Sequence, residues 1–528
     1  MAFPRSALCF LVLASAAAQT NSRVKAWEGA LPMVTYDEGP PGVDPPFDLF
    51  SATKINYPYT IRNSLTGLKQ SVNWRAVFLE NEYLQCSVLP DLGGHLYTCI
   101  DKISGKSMFY ANPAIKKAAI GYRGAWAAFG DEFNFPVSHN WVSLSPVDFG
   151  YHSNPDGSAS VMVGNTDLVT GMRWNVEMVL RPGSTLLEQH VTLENPSDVR
   201  HRFFWWNNGG VEVWEDSKIE YPMRFTEGHG LSDIDTWPVD AHKADLSVIA
   251  NQKFGPVSRF VHGSREPFMG VYHLHTQTGI AHYADFNQLP AKKIWSWGED
   301  ADGLSWRTAL SDNNSAYVEV QGGLFRNQET YEFLEPGQTI RFEEDWMPVR
   351  GTGGISRANR EGVVAIQRAT QPGGRINLHA ALNVNRRIEH ATLRITDGTA
   401  KVFEETVDLE PEHTWSHEVK DLPADHKYSF SLVSAGKPLL AHTEGVYDWT
   451  PSDQIKTGPI AHPPAPPEAQ WSVKEYLNSA DEQERNGFLS GAWETYQKGS
   501  KRFPGNPELA KASGRVAVSL FRYEDAER

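Results

Sequence analysis

Apolar and polar positions alternate along most of the chain, in short bursts separated by Gly, Pro and Asn. The clearest burst is a pair. Trp174, Val176, Met178 and Leu180 alternate with Asn175, Glu177 and Arg181, Pro182-Gly183 follows, and the return places Leu187, Val191 and Leu193 on one face. Period two on both sides of a turn predicts a β-hairpin. Similar bursts continue to Met347, and helical periodicity is nearly absent before about residue 470. A mainly β chain follows, with residues 30–350 forming one antiparallel β-supersandwich without helices, rather than an α/β barrel.

The pattern restarts after Gly351-Thr352-Gly353-Gly354. Short strands at 375–383, 391–396 and 428–432 predict a small β-sandwich of immunoglobulin or fibronectin type over 356–447. Residues 448–470 read as a stiff linker around Ala461-His462-Pro463-Pro464-Ala465-Pro466-Pro467. The period then changes to helix. Phe488, Ala492 and Tyr496 precede Phe503-Pro504-Gly505-Asn506-Pro507, and a second helix carries Leu509, Ala512, Val516 and Leu520. Helix, Pro-marked turn and helix resemble a tetratricopeptide repeat (TPR), so 471–528 is expected to be the start of a TPR helical array. Tyr523-Glu524-Asp525-Ala526 opens a further unit, and the sequence is expected to be a fragment of a longer protein. One repeat cannot bury its own face, so these helices should be the least stable part.

Composition narrows the function. The 528 residues carry a formal charge of −15 and include 17 tryptophans. The charge argues against nucleic acid or an anionic membrane as partner. Arg5, the apolar run 7–17 and Ala16-Ala17-Ala18 read as a secretory signal over 1–18, so the protein is expected to be secreted or periplasmic, with no membrane span. Cys9 leaves with the signal. Cys86 and Cys99 flank the turn 90–94, and either a cross-strand disulfide or two buried thiols fits that spacing.

The candidate chemistry centres on 121–141, GYRGAWAAFGDEFNFPVSHNW. Asp131, Glu132, His139 and Arg123 lie there among aromatic rings that include Trp126 and Trp141. Rings that stack on sugar C–H faces, beside charged groups that fix hydroxyls, point to a carbohydrate site. Further candidates are His95 after Pro90-Asp91-Leu92-Gly93-Gly94, and Trp205, Trp206, Asn207, Asn208, Glu212 and Glu215 in HRFFWWNNGGVEVWEDSKIEY. Glu319 and Gln321 form a Glu-x-Gln strand. His273 and His275 share a strand face but lack a third ligand, so neither a metal nor a cofactor is expected.

Pro-x-x-Gly-Gly, a Lys-x-x-Gly hairpin, Glu-x-Gln and an apolar residue before Pro-Gly resemble the aldose 1-epimerase, or galactose mutarotase-like, superfamily. GYRGAWAAFG, EFNFPVSHNW, FFWWNN and YPMRF resemble an exported bacterial domain family of unknown function that has this supersandwich and is commonly followed by TPRs. The first resemblance implies Glu319 as general base. It also implies a histidine acid before an aromatic-Asn-Leu motif, where this chain has Trp205-Trp206-Asn207-Asn208 instead; His139 could substitute from another strand.

The expected function is therefore binding of an oligo- or polysaccharide, with glycoside hydrolysis by paired carboxylates as the leading chemistry. The alternatives are a non-catalytic sugar-binding module and a sugar epimerase. Catalytic candidates are Glu319, Glu132, Glu212, Glu215 and His139, and substrate-binding candidates are Arg123, Trp126, Asp131, Trp141, Trp205, Trp206, Asn207, Asn208, Gln321 and His95. Glu319, Glu132 and one of the others should converge on a tryptophan-walled pocket. The TPR array would offer a surface to a protein partner.

Overall fold

The alternation resolves into two large sheets facing each other. A computed structural model describes residues 24–43, 57–137, 139–228, 234–328, 330–451, 454, 466–485 and 488–528. The signal reading at 1–18 and most of the Pro-rich linker lie outside the described residues. One sheet has 13 strands and runs from Ile234–Thr236 at one edge to Lys25–Glu38 and Ala114–Ile115 at the other. The second has eight strands, with Leu187–Glu194 beside Thr339–Arg350 at its centre. The expected hairpin is present, with Trp174 opposite Leu193 and Leu180 opposite Leu187. Pairing is antiparallel throughout both sheets except where Val34 and Thr35 meet Ala114 and Ile115.

The apolar halves of the alternating strands fill the space between the sheets. Val88, Leu96, Val176, Leu193, Val318, Val320 and Trp346 belong to one buried cluster there. Cys86 and Cys99 are direct cross-strand partners and form a disulfide, which removes the free-thiol alternative. The expectation of no helix before 350 needs correcting. Residues Ala301–Leu310 form one, opened by Asp300, whose carboxylate accepts from the Gly303 N–H at 2.9 Å. Its apolar positions are too few and scattered to show a period, so the N-cap was the only signal.

Two four-stranded sheets between Arg357 and Thr443 enclose a separate core that includes Leu378, Leu393, Tyr428 and Phe430. The helices Val473–Arg485, Leu489–Arg502 and Pro507–Ser519 bury Tyr476, Ala492, Tyr496, Leu509 and Val516 among themselves. Arg200 of the large sandwich ion-pairs with Asp481 and Glu484 of the first of these helices. No helix among the described residues is long and apolar enough to cross a membrane.

Candidate functional site

One row of residues crosses six neighbouring strands of the larger sheet. Glu227 pairs with Phe260, Phe260 with Lys293 and Lys293 with Gln321. The register that sets Trp206 against Gly323 and Gly209 against Val320 aligns Gln321 with Asn208, and Asn208 pairs with Glu132. Cross-strand partners point to the same face, as do residues two apart on one strand. The face therefore also carries Trp206, Tyr317, Glu319 and Trp295. It is the face turned away from the second sheet.

Glu132 is the most constrained member. Its Oε2 accepts from Trp126 Nε1 at 3.1 Å and Asn208 Nδ2 at 3.4 Å, and meets His139 Nδ1 at 3.2 Å. Its Oε1 accepts from the Ser143 hydroxyl at 2.5 Å. Burial alone would raise its pKa. The adjacent His139, with His95 and the Ser143 hydroxyl, overrides that and holds the carboxyl well below the usual carboxylate range. Ser143 reaches Glu132 because Gly93 has no side chain: at φ +72° a Cβ there would lie 2.2 Å from the Ser143 carbonyl oxygen.

His139 sits at φ +58°, in the left-handed region that a non-glycine residue occupies at a cost. Its ring is held edge-on between Trp126 and Trp206, at centroid distances of 5.4 and 5.2 Å. About a fifth of its side chain is exposed (19%), against 2% for Glu132, so the imidazole is the accessible end of the pair.

Glu319 lies two strands from Glu132. Its Oε1 accepts from the Tyr317 hydroxyl at 3.2 Å and its Oε2 from Gln321 Nε2 at 2.6 Å. Burial raises its proton affinity above that of an ordinary glutamate, Lys293 and His139 pull it back, and Glu132 pushes it up. The Asn208 side chain donates to Glu132 at 3.4 Å and also lowers the Glu319 pKa, so it stands between the two carboxyls. Lys293 lies over the rings of Phe260, Trp295 and Trp206, and burial lowers its pKa to about 8 against the pull of Glu319. Trp297 donates its indole N–H to the Tyr317 hydroxyl at 3.0 Å and stacks on Trp306 at 4.2 Å. A chain of hydrogen bonds thus runs from a half-buried indole to Glu319.

Residues 52–349, more than half of the chain, match the family described as "Domain of unknown function (DUF5107)". The chain belongs to the DUF5107 family. Residues 357–442 match "YphG-like protein, second domain". Among solved structures, a TPR-domain containing protein from Parabacteroides distasonis shares the fold: 20% identity, 96% of this chain and 79% of that chain covered, TM-score 0.57. Galactose mutarotase-like proteins are also neighbours. One from Lactobacillus casei is 9% identical over 52% of this chain and 99% of that chain, with a TM-score of 0.38. Another from Clostridium acetobutylicum is 9% identical over 52% and 96%, with a TM-score of 0.39. Superposition at that level carries no argument about activity.

The DUF5107 sheet separates the residues picked out from the sequence. Glu132, His139, Trp126, Trp206, Asn208, Glu319 and Gln321 lie together. His95 also faces the site, beside Glu132 on the next strand in the register that pairs Leu96 with Asp131, but it is buried against the Phe129 ring, and burial holds its pKa down to about 4. Asp131 and Asn207 point instead toward the second sheet, since each is one residue from a site-facing neighbour. Asp131 accepts from Gln189 at 2.8 Å, and Asn207 donates to Glu344 at 2.7 Å. Trp205 is core, packed on Phe133 and Phe342. Trp141 is buried against Tyr59 and Tyr122. Arg123 donates to the carbonyls of Thr60 and Trp141 and to Ser145, so it ties loops together. Glu212 lies further along its strand, near Lys106 and Tyr110, and Glu215 is exposed in the turn beyond it.

Sequence reading missed Lys293, Tyr317, Ser143, Trp295, Trp297 and Trp306. The alternation Lys293-x-Trp295-x-Trp297, in register with Glu-x-Gln, was a usable signal for three of them. Among the described residues no group of three or more His, Cys, Asp or Glu could hold a metal ion.

Proposed function

We propose that this face of the DUF5107 domain binds a carbohydrate and catalyses proton transfer at its anomeric centre, as a sugar epimerase of the mutarotase type does. Glu319 is the general base, and His139, oriented by Glu132, is the general acid. The observation that carries the reading is the register row itself: it brings an imidazole–carboxylate pair and a carboxyl of raised proton affinity to one amide, Asn208. A base is most useful when its pKa lies nearer the working pH, which burial of Glu319 supports. In ring opening, Glu319 takes the O1 proton, the C1–O5 bond breaks and O5 receives a proton from His139. Closure reverses each transfer. Half-buried Trp295 and Trp297 offer stacking surface beside Glu319.

Hydrolysis by two carboxylates is less well supported. A second carboxylate must meet water or the anomeric carbon, whereas Glu132 is surrounded by four side-chain partners and is almost wholly buried. Its chemistry is better matched to positioning His139.

Anomer interconversion of a panel of aldoses and reducing oligosaccharides, followed by NMR, tests the proposal. Glu319→Gln and His139→Gln should each lower the rate by roughly a hundredfold or more with sugar binding retained. Binding with no interconversion by the parent protein would leave only a sugar-binding module. Release of reducing ends, dependent on Glu319, would restore the hydrolase reading.

We also read residues 1–18 as a secretory signal and the C-terminal helices as the start of a TPR array offered to a protein partner. N-terminal sequencing of the protein recovered from the periplasm or medium tests the former, expecting a start at Gln19.

A further inference from the structure

A cavity of about 510 Å³ lies between the large sandwich and the C-terminal helices, well within the ~300–1,000 Å³ of small-molecule sites. The sandwich contributes Trp141, Leu168, Arg200 and Arg202, and the helical segment contributes Leu489, Phe521 and Tyr523. Three observations mark it as more than a packing gap. Its lining mixes rings and guanidinium groups, the combination that recognises sugar faces and hydroxyls. Leu168 is 64% exposed, a poor arrangement for a large apolar group unless something covers it. Finally, Pro136, Val137 and Trp141 form one wall, and the same loop carries His139 onto Glu132.

That wall is braced. Arg200 bonds to Glu484 at 2.9 Å and lies 3.8 Å over the Phe333 ring, and Glu484 in turn accepts from Arg515 at 2.7 Å. The bracing fixes the helices against the segment that carries Arg200, a second wall of the cavity, and the Phe204 amide donates to the Pro136 carbonyl at 2.9 Å, which joins that segment to the loop carrying His139.

We propose that this cavity is a remote sugar-binding site, so that the substrate is an oligosaccharide whose further units lie between the sandwich and the helices. The helices then form part of the substrate site. This rests on the carbohydrate reading of the neighbouring face but makes a separate demand, that affinity depend on chain length.

The test uses the whole chain and defined ladders of cello-, xylo-, malto- and β-1,4-galacto-oligosaccharides from monomer to hexamer. Binding is measured by calorimetry, and amide exchange is followed at 518–523. The parent should bind the longer members of one ladder roughly tenfold or more tighter than the monomer, with slowed exchange at 518–523. Leu168→Trp, which fills the cavity, and the double variant Phe521→Ala/Tyr523→Ala, which strips its outer rings, should each cut that ratio about tenfold. A parent that binds no ladder, or binds all lengths alike, overturns the proposal. So does a ratio unchanged in both variants. Loss of turnover in Glu319→Gln alongside an unchanged ratio would sink the cavity and spare the acid–base reading, whereas a length-dependent ratio with Glu319→Gln fully active would do the reverse.

Discussion

Replacing Glu132 by Gln tests whether the carboxylate is held as tightly as its surroundings imply. The side chain keeps its shape but loses its charge. If the new NH₂ faces Ser143, the hydroxyl can turn to accept from it, and the remaining oxygen still meets Trp126, His139 and Asn208. The indole, imidazole and amide donors then keep their acceptor while the Ser143 O–H gives up its own, and the loss is at least the difference between charged and neutral hydrogen bonds, about 1 kcal/mol each. Over these contacts that amounts to roughly 3–4 kcal/mol, or a fall of about 5–6 °C in melting temperature for a domain of about 300 residues. The sign with pH is fixed too. Because the folded-state pKa of Glu132 lies well below its ordinary value, its stabilisation is fully present above about pH 4.5 and is lost as pH falls toward the folded pKa. Thermal melts of parent and variant between pH 7 and pH 3.5 should therefore converge on acidification. A variant within about 1 kcal/mol of the parent at pH 7, or a gap that widens in acid, would refute the account.

Other expectations concern the scaffold. Glu344 is fully buried, accepting from Asn207 and paired with His282, and burial raises its pKa to about 8. The stabilisation linked to its proton is present below about pH 4.5 and lost by about pH 8, so Glu344→Gln should gain on the parent across that window in melts at successive pH values. Lys293→Met removes the cation that lowers the Glu319 pKa, so the acid limb of any Glu319-dependent rate profile should move to higher pH; an unmoved limb would separate the two residues. Gly93→Ala puts a Cβ against the Ser143 carbonyl at φ +72° and should cost more than about 2 kcal/mol by denaturant melts. Cys86→Ser/Cys99→Ser opens a link across a separation of 13 residues and should cost about 3 kcal/mol under oxidising conditions.

Much of the architecture was legible because its signals are local. The 174–193 hairpin announces itself by alternation and a Pro-Gly turn, and both halves pair as read. The helix Ala301–Leu310 was not legible, since its only clear marker was the Asp300 cap. The site was half legible for the opposite reason. Its chemistry-bearing residues come as adjacent pairs on three strands: Asp131-Glu132, Asn207-Asn208 and Lys292-Lys293. Alternation guarantees that one member of each pair faces the site and the other the interior. Which member does so depends on register across the sheet, and register is a long-range property that no local window carries.

The same pairing gives the buried members a role in holding the site. Asn207 accepts from the Gly322 amide at 2.6 Å and donates to Glu344, so it ties the strand carrying Asn208 to the strand carrying Gln321 and to the second sheet. Asp131 accepts from Gln189, whose own oxygen accepts from Trp346 at 3.0 Å, which anchors the strand carrying Glu132 in the same way. Glu132 and Asn208 are thus each held by a polar neighbour fixed across the interior. A one-residue slip would exchange the two sets, placing Glu132 against the core and Asp131 against His139. Buried polar groups without partners cost about 1–3 kcal/mol apiece, so the Asp131-Glu132 and Asn207-Asn208 doublets penalise that slip at two strands together. In physical terms, the interior network of Asp131, Asn207 and Glu344 specifies the register that brings Glu132, Asn208 and Glu319 onto one face.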